Sequence, residues 1–267
     1  MTAEHRRGHG TVYDGLGSGR IEVGRLRTSL VSLPVPRDEE GRITLAVDVS
    51  PWLRPDAATS LDRSFCHVYG RGKGQAQMIP GRPYSFVAAL EPGRTLWTAL
   101  LDALRLGPDD DATTVTATQL REVIQRLQQA GQHKPGDADT LRRFDLEHTF
   151  RFLKQTLDWT RPRIRTPDQG NRRTWIIVAA HIQLRLARHL TSDLRRPWEK
   201  PVTEPHRLTP ARIRRRFRNL RPKTTLPASA PKPSHRGGGG APAVVRASCR
   251  VMIATVAHST IASWGWC

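Results

Sequence analysis

The chain has 267 residues, with 43 lysines and arginines against 24 acids and a formal charge of +19. So basic a balance points to an anionic polymer as partner, although 37 of the 43 cations are arginine, a bias that GC-rich coding also produces. Three cysteines without paired spacing, Cys66, Cys249 and Cys267, argue against a disulfide framework and against a zinc ribbon. The opening Met-Thr-Ala-Glu-His-Arg-Arg lacks the apolar run of a secretion signal, so a cytoplasmic, nucleoid-associated protein is expected.

Taken in order, residues 1–40 carry short helical signals around Val12–Leu16 and Ile21–Leu33, ended by Pro34 and Pro36. Arg42-Ile-Thr-Leu-Ala-Val-Asp48 is a mostly apolar run that stops at an acid and breaks at Ser50-Pro51, as a strand buried on both faces does. Further strands are predicted at Ser64–Tyr69, Gln75–Ile79 and Tyr84–Leu90, with Gly70, Gly72, Gly74 and Gly81 as turns. Thr95–Leu106 and Thr116–Ala130 are predicted as helices, the second capped by Thr116 or Thr118 with Leu120, Val123, Ile124 and Leu127 on its apolar face.

The most informative stretch is Arg143-Phe-Asp-Leu-Glu147-His-Thr-Phe-Arg-Phe-Leu-Lys154. As a helix it places Leu146, Phe150, Leu153 and Leu157 on one apolar stripe. Arg143, Glu147 and Lys154 then stack on the other face, an acid between two cations over roughly 16 Å of axis. An amphipathic helix with a solvated charged face explains this pattern equally well. Arg161-Pro-Arg-Ile-Arg165 follows as an extended basic strip, because each proline turns its predecessor away from α.

Arg173–Leu190 has an apolar centre too short to span a bilayer and is predicted as a core helix. Thr209-Pro210 is a start signal, N-cap then N1 proline, for a helix carrying Arg212, Arg214, Arg215, Arg216 and Arg218. Eight cations and no acid lie between Arg207 and Lys223, which suits phosphate contacts; a helix packed by Ile213, Phe217 and Leu220 with a solvated face is the alternative. Beyond Pro222 the composition turns to Pro, Ala, Ser and Gly, as in a disordered tail, and Ala243–Cys267 has the look of a shifted reading frame.

Strand Asp48 together with helical Glu147 in Arg-x3-Glu-x6-Lys spacing resembles the DDE transposases of bacterial insertion sequences. The similar branch carries a Tyr-x2-Arg-x3-Glu-x6-Lys signature. Leu45–Asp56, Phe65–Lys73, Pro80–Leu90 and Trp159–Arg165 extend the resemblance over roughly Glu4 to Lys232. It implies an α/β fold with an RNase H-like core, a mixed sheet flanked by helices, over residues 41–221. A short helical N-terminal segment, 1–40, and a tail, 222–267, would complete the chain. It further implies DNA strand cleavage and transfer at transposon ends with two Mg²⁺ ions, which need oxygen ligands. Asp48 and Glu147 are the implied catalytic metal ligands. Arg143 and Lys154 are the implied phosphate contacts near the scissile bond, with Arg161, Arg163 and Arg165 beside them. No membrane association is expected; a homodimer is compatible with the resemblance.

Three departures qualify what the resemblance implies. The family's middle Asp should end a strand after the Ala117–Ala130 helix, yet Gly131–Thr140 leads straight to Leu141-Arg142-Arg143, expected as the catalytic helix itself. Asp137 and Asp139 lie in a Pro/Gly/Asp turn that fixes neither. Thr140 stands at the Tyr position, which marks a deletion junction, and only about forty residues precede the first strand. The expectation is therefore an internally deleted, truncated transposase, catalytically inactive and DNA-binding. The alternatives are a basic DNA-binding protein unrelated to catalysis, or an unstable pseudogene product.

Overall fold

Residues 43–53 place Ile43, Leu45, Ala46, Ser50 and Trp52 in the interior, and that burial builds the central strand. In the computed structural model, which describes residues 16–220 except 58, 61, 70–75, 94, 135–139, 144–145, 192, 203 and 205–206, β1 runs from Thr44 to Leu53. It does not end at Asp48 as expected: it continues through Pro51, which pairs with Pro83 of the neighbouring strand. With both prolines on one rung, the missing amide donors fall at the same place. Ile21–Leu33 yields α1 at Val23–Val31, whereas Val12–Tyr13-Asp14-Gly15 lies outside the described residues.

β2 spans Ser64–Tyr69. β3 spans Ala76–Leu90 as one strand where the sequence suggested two with a turn at Gly81. Gly81 is instead a point of close approach: a Cβ there would lie 2.8 Å from the Trp52 carbonyl oxygen and 3.0 Å from Cys66 Sγ. The predicted turns at Gly70, Gly72 and Gly74 lie outside the described residues. β4 occupies Thr98–Arg105, so the helix expected at Thr95–Leu106 is corrected to a strand. Its first six residues are all buried; a short, continuously apolar run reads alike for a buried helix and a strand covered on both faces. The helix α2, Ala112–Gln129, starts earlier than expected, because Asp111 rather than a threonine caps it by accepting from the Thr113 and Thr114 amides.

A strand also appears where none was expected. Thr140–Arg143 forms β5, parallel to β1 in the register Thr44↔Thr140 to Val47↔Arg143. The far edge of β1 otherwise presents unpaired main-chain donors and acceptors, and four extended residues satisfy part of that demand. Helix α3 therefore spans only Glu147–Gln155, and Arg143 is not on its face. The sheet order is β2-β3-β1-β5, with β4 pairing the second half of β3. An antiparallel meander, a helix and then a strand parallel to the first form a mixed α/β sheet of RNase H-like order, flanked by helices and incomplete at the β5 side.

The chain divides into two units, 1–181 and 182–267. In the first, one sheet face packs Leu45, Val87, Ala99 and Leu101 against Val31 and Val35 near α1 and Val123 and Leu127 of α2, with Leu120 and Ile124 at the margin. Below this layer Asp102 of β4, fully buried, is clasped by Arg27 Nε at 2.8 Å and Arg126 Nη2 at 2.7 Å. The other face carries Trp52, Tyr84 and Phe86. Trp159 stands edge-on to all three with ring centroids 6.0, 5.6 and 5.2 Å away, and Phe150 of α3 meets Phe86 at 5.3 Å. Helix α4, Pro167–Ala187, begins in this unit. Its Gly170 leaves room for the Tyr84 hydroxyl, which a Cβ would approach to 2.6 Å.

In the second unit a 3-10 turn at Arg188–Leu190 is followed, after a turn at 197–199, by α5, Pro210–Leu220, at the predicted proline start. The carbonyl of Thr209 accepts from the Arg212 and Ile213 amides. Among the described residues no helix is long and apolar enough to cross a membrane.

Candidate carboxylate site and basic surface

Strand alternation decides where Asp48 stands. It lies opposite Phe86 across β1 and β3, and the Phe86 ring meets Phe150 and Trp159. Asp48 is thus on the sheet face that α3 covers. It is half-buried, and its Oδ1 accepts the Val49 amide at 2.7 Å. Burial pushes its carboxyl above the usual range, against the opposing pull of the Val49 amide and the Lys154 ammonium. Lys154, near the end of α3, is also half-buried: burial pulls its ammonium down, while Asp48 and Cys66 hold it up. Its Nζ lies 6.0 Å from the centre of the Trp159 ring. Burial raises the Cys66 thiol, with Lys154 countering. Lys154 is therefore half-covered beside the Trp159 ring rather than displayed on a fully solvated face.

Glu147 is the first residue of α3 and is exposed. Its charge favours the helix N-terminus, where main-chain dipoles are positive. Thr149, Phe150, Phe152 and Leu153 bury the other side of α3, and Thr149 Oγ1 meets Thr98 Oγ1 at 3.0 Å. Seven residues separate Glu147 from Lys154, about 10 Å of axis. Arg143 sits in β5, and its side chain is outside the described residues, as are Asp137 and Asp139. Among the described residues no group of three His, Cys, Asp or Glu could hold a metal ion. Two divalent ions need several shared carboxylate oxygens. One half-buried acid and one acid at an exposed helix start do not fit that requirement.

The burial of Asp48 sets a pH signature. Its carboxyl is raised in the folded state, so folding favours the protonated form, and its contribution to stability falls as pH climbs from the ordinary carboxylate value through the raised one. Asp48→Asn removes that penalty. Melting followed by circular dichroism is expected to give a Tm a few degrees higher for the variant near neutral pH, with the difference gone below pH ~4. A variant less stable at neutral pH would contradict the assignment.

The strip at residues 161–165 is neither helix nor strand: it bends at Pro162, whose carbonyl accepts the Ile164 amide at 3.1 Å, and its main chain is held from below. Ile164 is buried. Arg54 Nη1 donates to the Ile164 carbonyl, and the buried Arg82 donates through Nη2 to the Arg165 carbonyl at 2.9 Å. Ser60 Oγ donates to the same oxygen at 3.3 Å. The side chains of Arg161 and Arg163 are 78% and 84% exposed. Arg161 meets Asp158 at 3.5 Å and Arg163 meets Asp56 at 3.9 Å, surface pairs of the kind that contribute little and exchange readily for phosphate. Sequence reasoning found the strip but missed the arginines beneath it, because Arg54 and Arg82 come from β1's end and from β3, far away along the chain.

In the second unit the five arginines of α5 are not equivalent. Arg212 Nη1 pairs with Asp193 at 2.9 Å and its Nε with Glu199 at 3.6 Å, and Arg215 Nη2 reaches Glu199 at 2.7 Å. The Arg196 amide, then Arg215 and Arg212, hold the Glu199 carboxyl below its usual range. Arg212 and Arg215, expected at phosphates, are thus engaged within the unit. Arg214 is exposed and Arg216 half-buried, while the side chain of Arg218 lies outside the described residues.

A family described as DDE superfamily endonuclease matches residues 1–147, more than half of the chain and its sheet through the start of α3. The mixed sheet and this match together define the class: the chain belongs to the DDE superfamily endonucleases. No curated protein matches the chain, and no solved structure does. Proteins of this superfamily act on DNA and generally depend on divalent metal. The match ends at Glu147, so Lys154 and the basic strip lie beyond it.

Proposed function

We propose that this chain is a transposase-derived DNA-binding protein of the DDE strand-transfer type that does not cut DNA by a two-metal route. The observation carrying this reading is the basic strip: three arginines on a main chain fixed by Arg54, Arg82 and Ser60, two of them almost fully solvated. A backbone held this way presents guanidinium groups at fixed spacing, which lowers the ordering cost of meeting successive phosphates. Arg214 and Arg216 of α5 add cations of the second unit. Asp48 and Glu147 remain the inherited catalytic pair, but among the described residues no third acid joins them. Transposon ends as the DNA, a homodimer and a nucleoid location accompany the reading.

Two measurements on the whole chain test it. Anisotropy titrations of duplex DNA across salt should give a steep log K against log[salt] line. The Arg161→Ala, Arg163→Ala, Arg165→Ala triple variant should lower the slope magnitude by about 2 to 3, near 0.9 per phosphate contact. Supercoiled plasmid with Mg²⁺ or Mn²⁺ should remain uncut. Metal-dependent nicking by the wild type that vanishes in Glu147→Gln would restore the enzyme, and an unchanged salt slope in the triple variant would remove the strip from the interface.

A further inference from the structure

The β2–β3 hairpin carries an apolar surface that stands exposed among the described residues. In its register Phe65 faces Pro80 and His67 faces Met78, so these four share one side of the ribbon, Phe65 and Met78 as diagonal neighbours. The opposite side is the inward one: Cys66 is buried, and its Sγ crowds Gly81. Phe65 is 54% and Met78 58% exposed, and His67 is exposed as well. The Arg63 guanidinium lies 5.6 Å from the Phe65 ring centre.

The hairpin's own sequence carries charge of one sign. From Arg63 to Gly81 the sequence contains no acid; it contains Arg63, Arg71, Lys73 and His67. A flat aromatic ring on a strand, a polarisable thioether diagonal to it and a guanidinium alongside match the chemistry of unpaired nucleobases. Each base offers a π-face for stacking and brings a phosphate. Duplex DNA keeps its bases stacked on one another, so this surface has little to offer it beyond charge. We propose that the outer face of the β2–β3 hairpin, through Phe65 and Met78 with Arg63 alongside, is a stacking platform for single-stranded DNA. Bases at a frayed or opened DNA end would reach it. This rests on the DNA-binding reading above and assigns a second, chemically distinct contact to it.

The test uses the whole chain and two probes, a dT oligonucleotide of about 16 nucleotides and a blunt duplex. The Phe65→Ser, Met78→Ser variant, altered only at exposed positions, should bind the oligonucleotide roughly ten-fold more weakly. Its salt slope should be unchanged, because no ionic contact is removed. Its affinity for the blunt duplex should be that of the wild type, and Phe65→Tyr should bind the oligonucleotide normally. Three results would overturn the platform while leaving the basic strip intact: equal oligonucleotide affinity in the double variant, an equal loss on both probes, or sedimentation showing a wild-type dimer that the double variant disperses. The last would assign the face to a second copy of the chain. Absence of any DNA binding by the wild type would remove both readings together.

Discussion

Asp102→Asn is expected to destabilise the first unit by about 3–5 kcal/mol, the range for removing one partner from a buried ion pair. The carboxylate is fully buried between Arg27 of α1 and Arg126 of α2, whose side chains are themselves mostly covered. It also accepts the Ala103 amide through Oδ1 at 2.8 Å. An amide in its place leaves two guanidinium groups without a counter-charge in a low-dielectric layer, and presents donors to donors. Since domains are stable by only about 5–15 kcal/mol, a loss of this size removes a large share of the margin. Urea unfolding measures it: the midpoint should fall strongly at unchanged slope. The combined variant Arg27→Met, Asp102→Leu, Arg126→Met should recover most of the loss, because the penalty lies in the unanswered charges rather than in the space they fill. A single-variant cost under about 1 kcal/mol would mean that the arginines find other partners or water, and that the triad does not hold α1 and α2 to the sheet.

The second large effect is expected at Trp159. It follows α3 directly, its amide donating to the Leu153 carbonyl at 2.9 Å, and is reached through Asp158, which takes a positive φ of 55°. The indole fills the space between the sheet and the helices, edge-on to Trp52, Tyr84 and Phe86, and donates through Nε1 to Thr174 Oγ1 at 2.9 Å. Trp159→Ala should cost about 3–5 kcal/mol, as for other large aromatics truncated in a core. Trp159→Phe should cost clearly less: it keeps the edge-on ring, and the Thr174 hydroxyl retains its own bond to the Gly170 carbonyl at 2.9 Å. Because Lys154 packs near the same ring, Trp159→Ala should also loosen that lysine. The Asp48-dependent pH profile of Tm is then expected to broaden in Trp159→Ala and not in Trp159→Phe.

Much of this architecture was legible in the chain. The start of β1, β2, α1, the body of α2 and the α5 start follow from period and proline rules that act within a few residues. What failed was decided by distant partners. Trp97–Leu106 has no periodicity of its own to separate strand from helix, and only pairing with β3 settles it. The lone acid inside that apolar run was the clue that could have been followed, since a buried carboxylate demands nearby arginines. Gly81 resembled a turn because a glycine forced by close approach and one forced by backbone angle look alike in sequence. At the candidate site two placements differ from those the sequence suggested. Arg143 belongs to a strand instead of the helical face shared with Glu147, and Lys154 is half-covered beside the Trp159 ring where a solvated or phosphate-bound position was expected. Both depend on where α3 begins, which periodicity leaves open because the apolar stripe extends past the helix on both sides.

β5 has a consequence of its own. A strand buried within a parallel array normally announces itself by an unbroken run of Val, Ile or Leu, yet Thr140-Leu-Arg-Arg143 contains a single apolar residue, and Leu141 is itself 53% exposed. Little side-chain burial holds this segment, so its tie to β1 is largely a matter of amides and carbonyls. Amide-proton exchange should therefore be fast along Thr140–Arg143 and slow along β3, whose neighbours flank it on both sides. Local opening there would free the N-terminal end of α3 while the meander stays closed, making this margin the first part of the sheet to yield under heat, denaturant or protease.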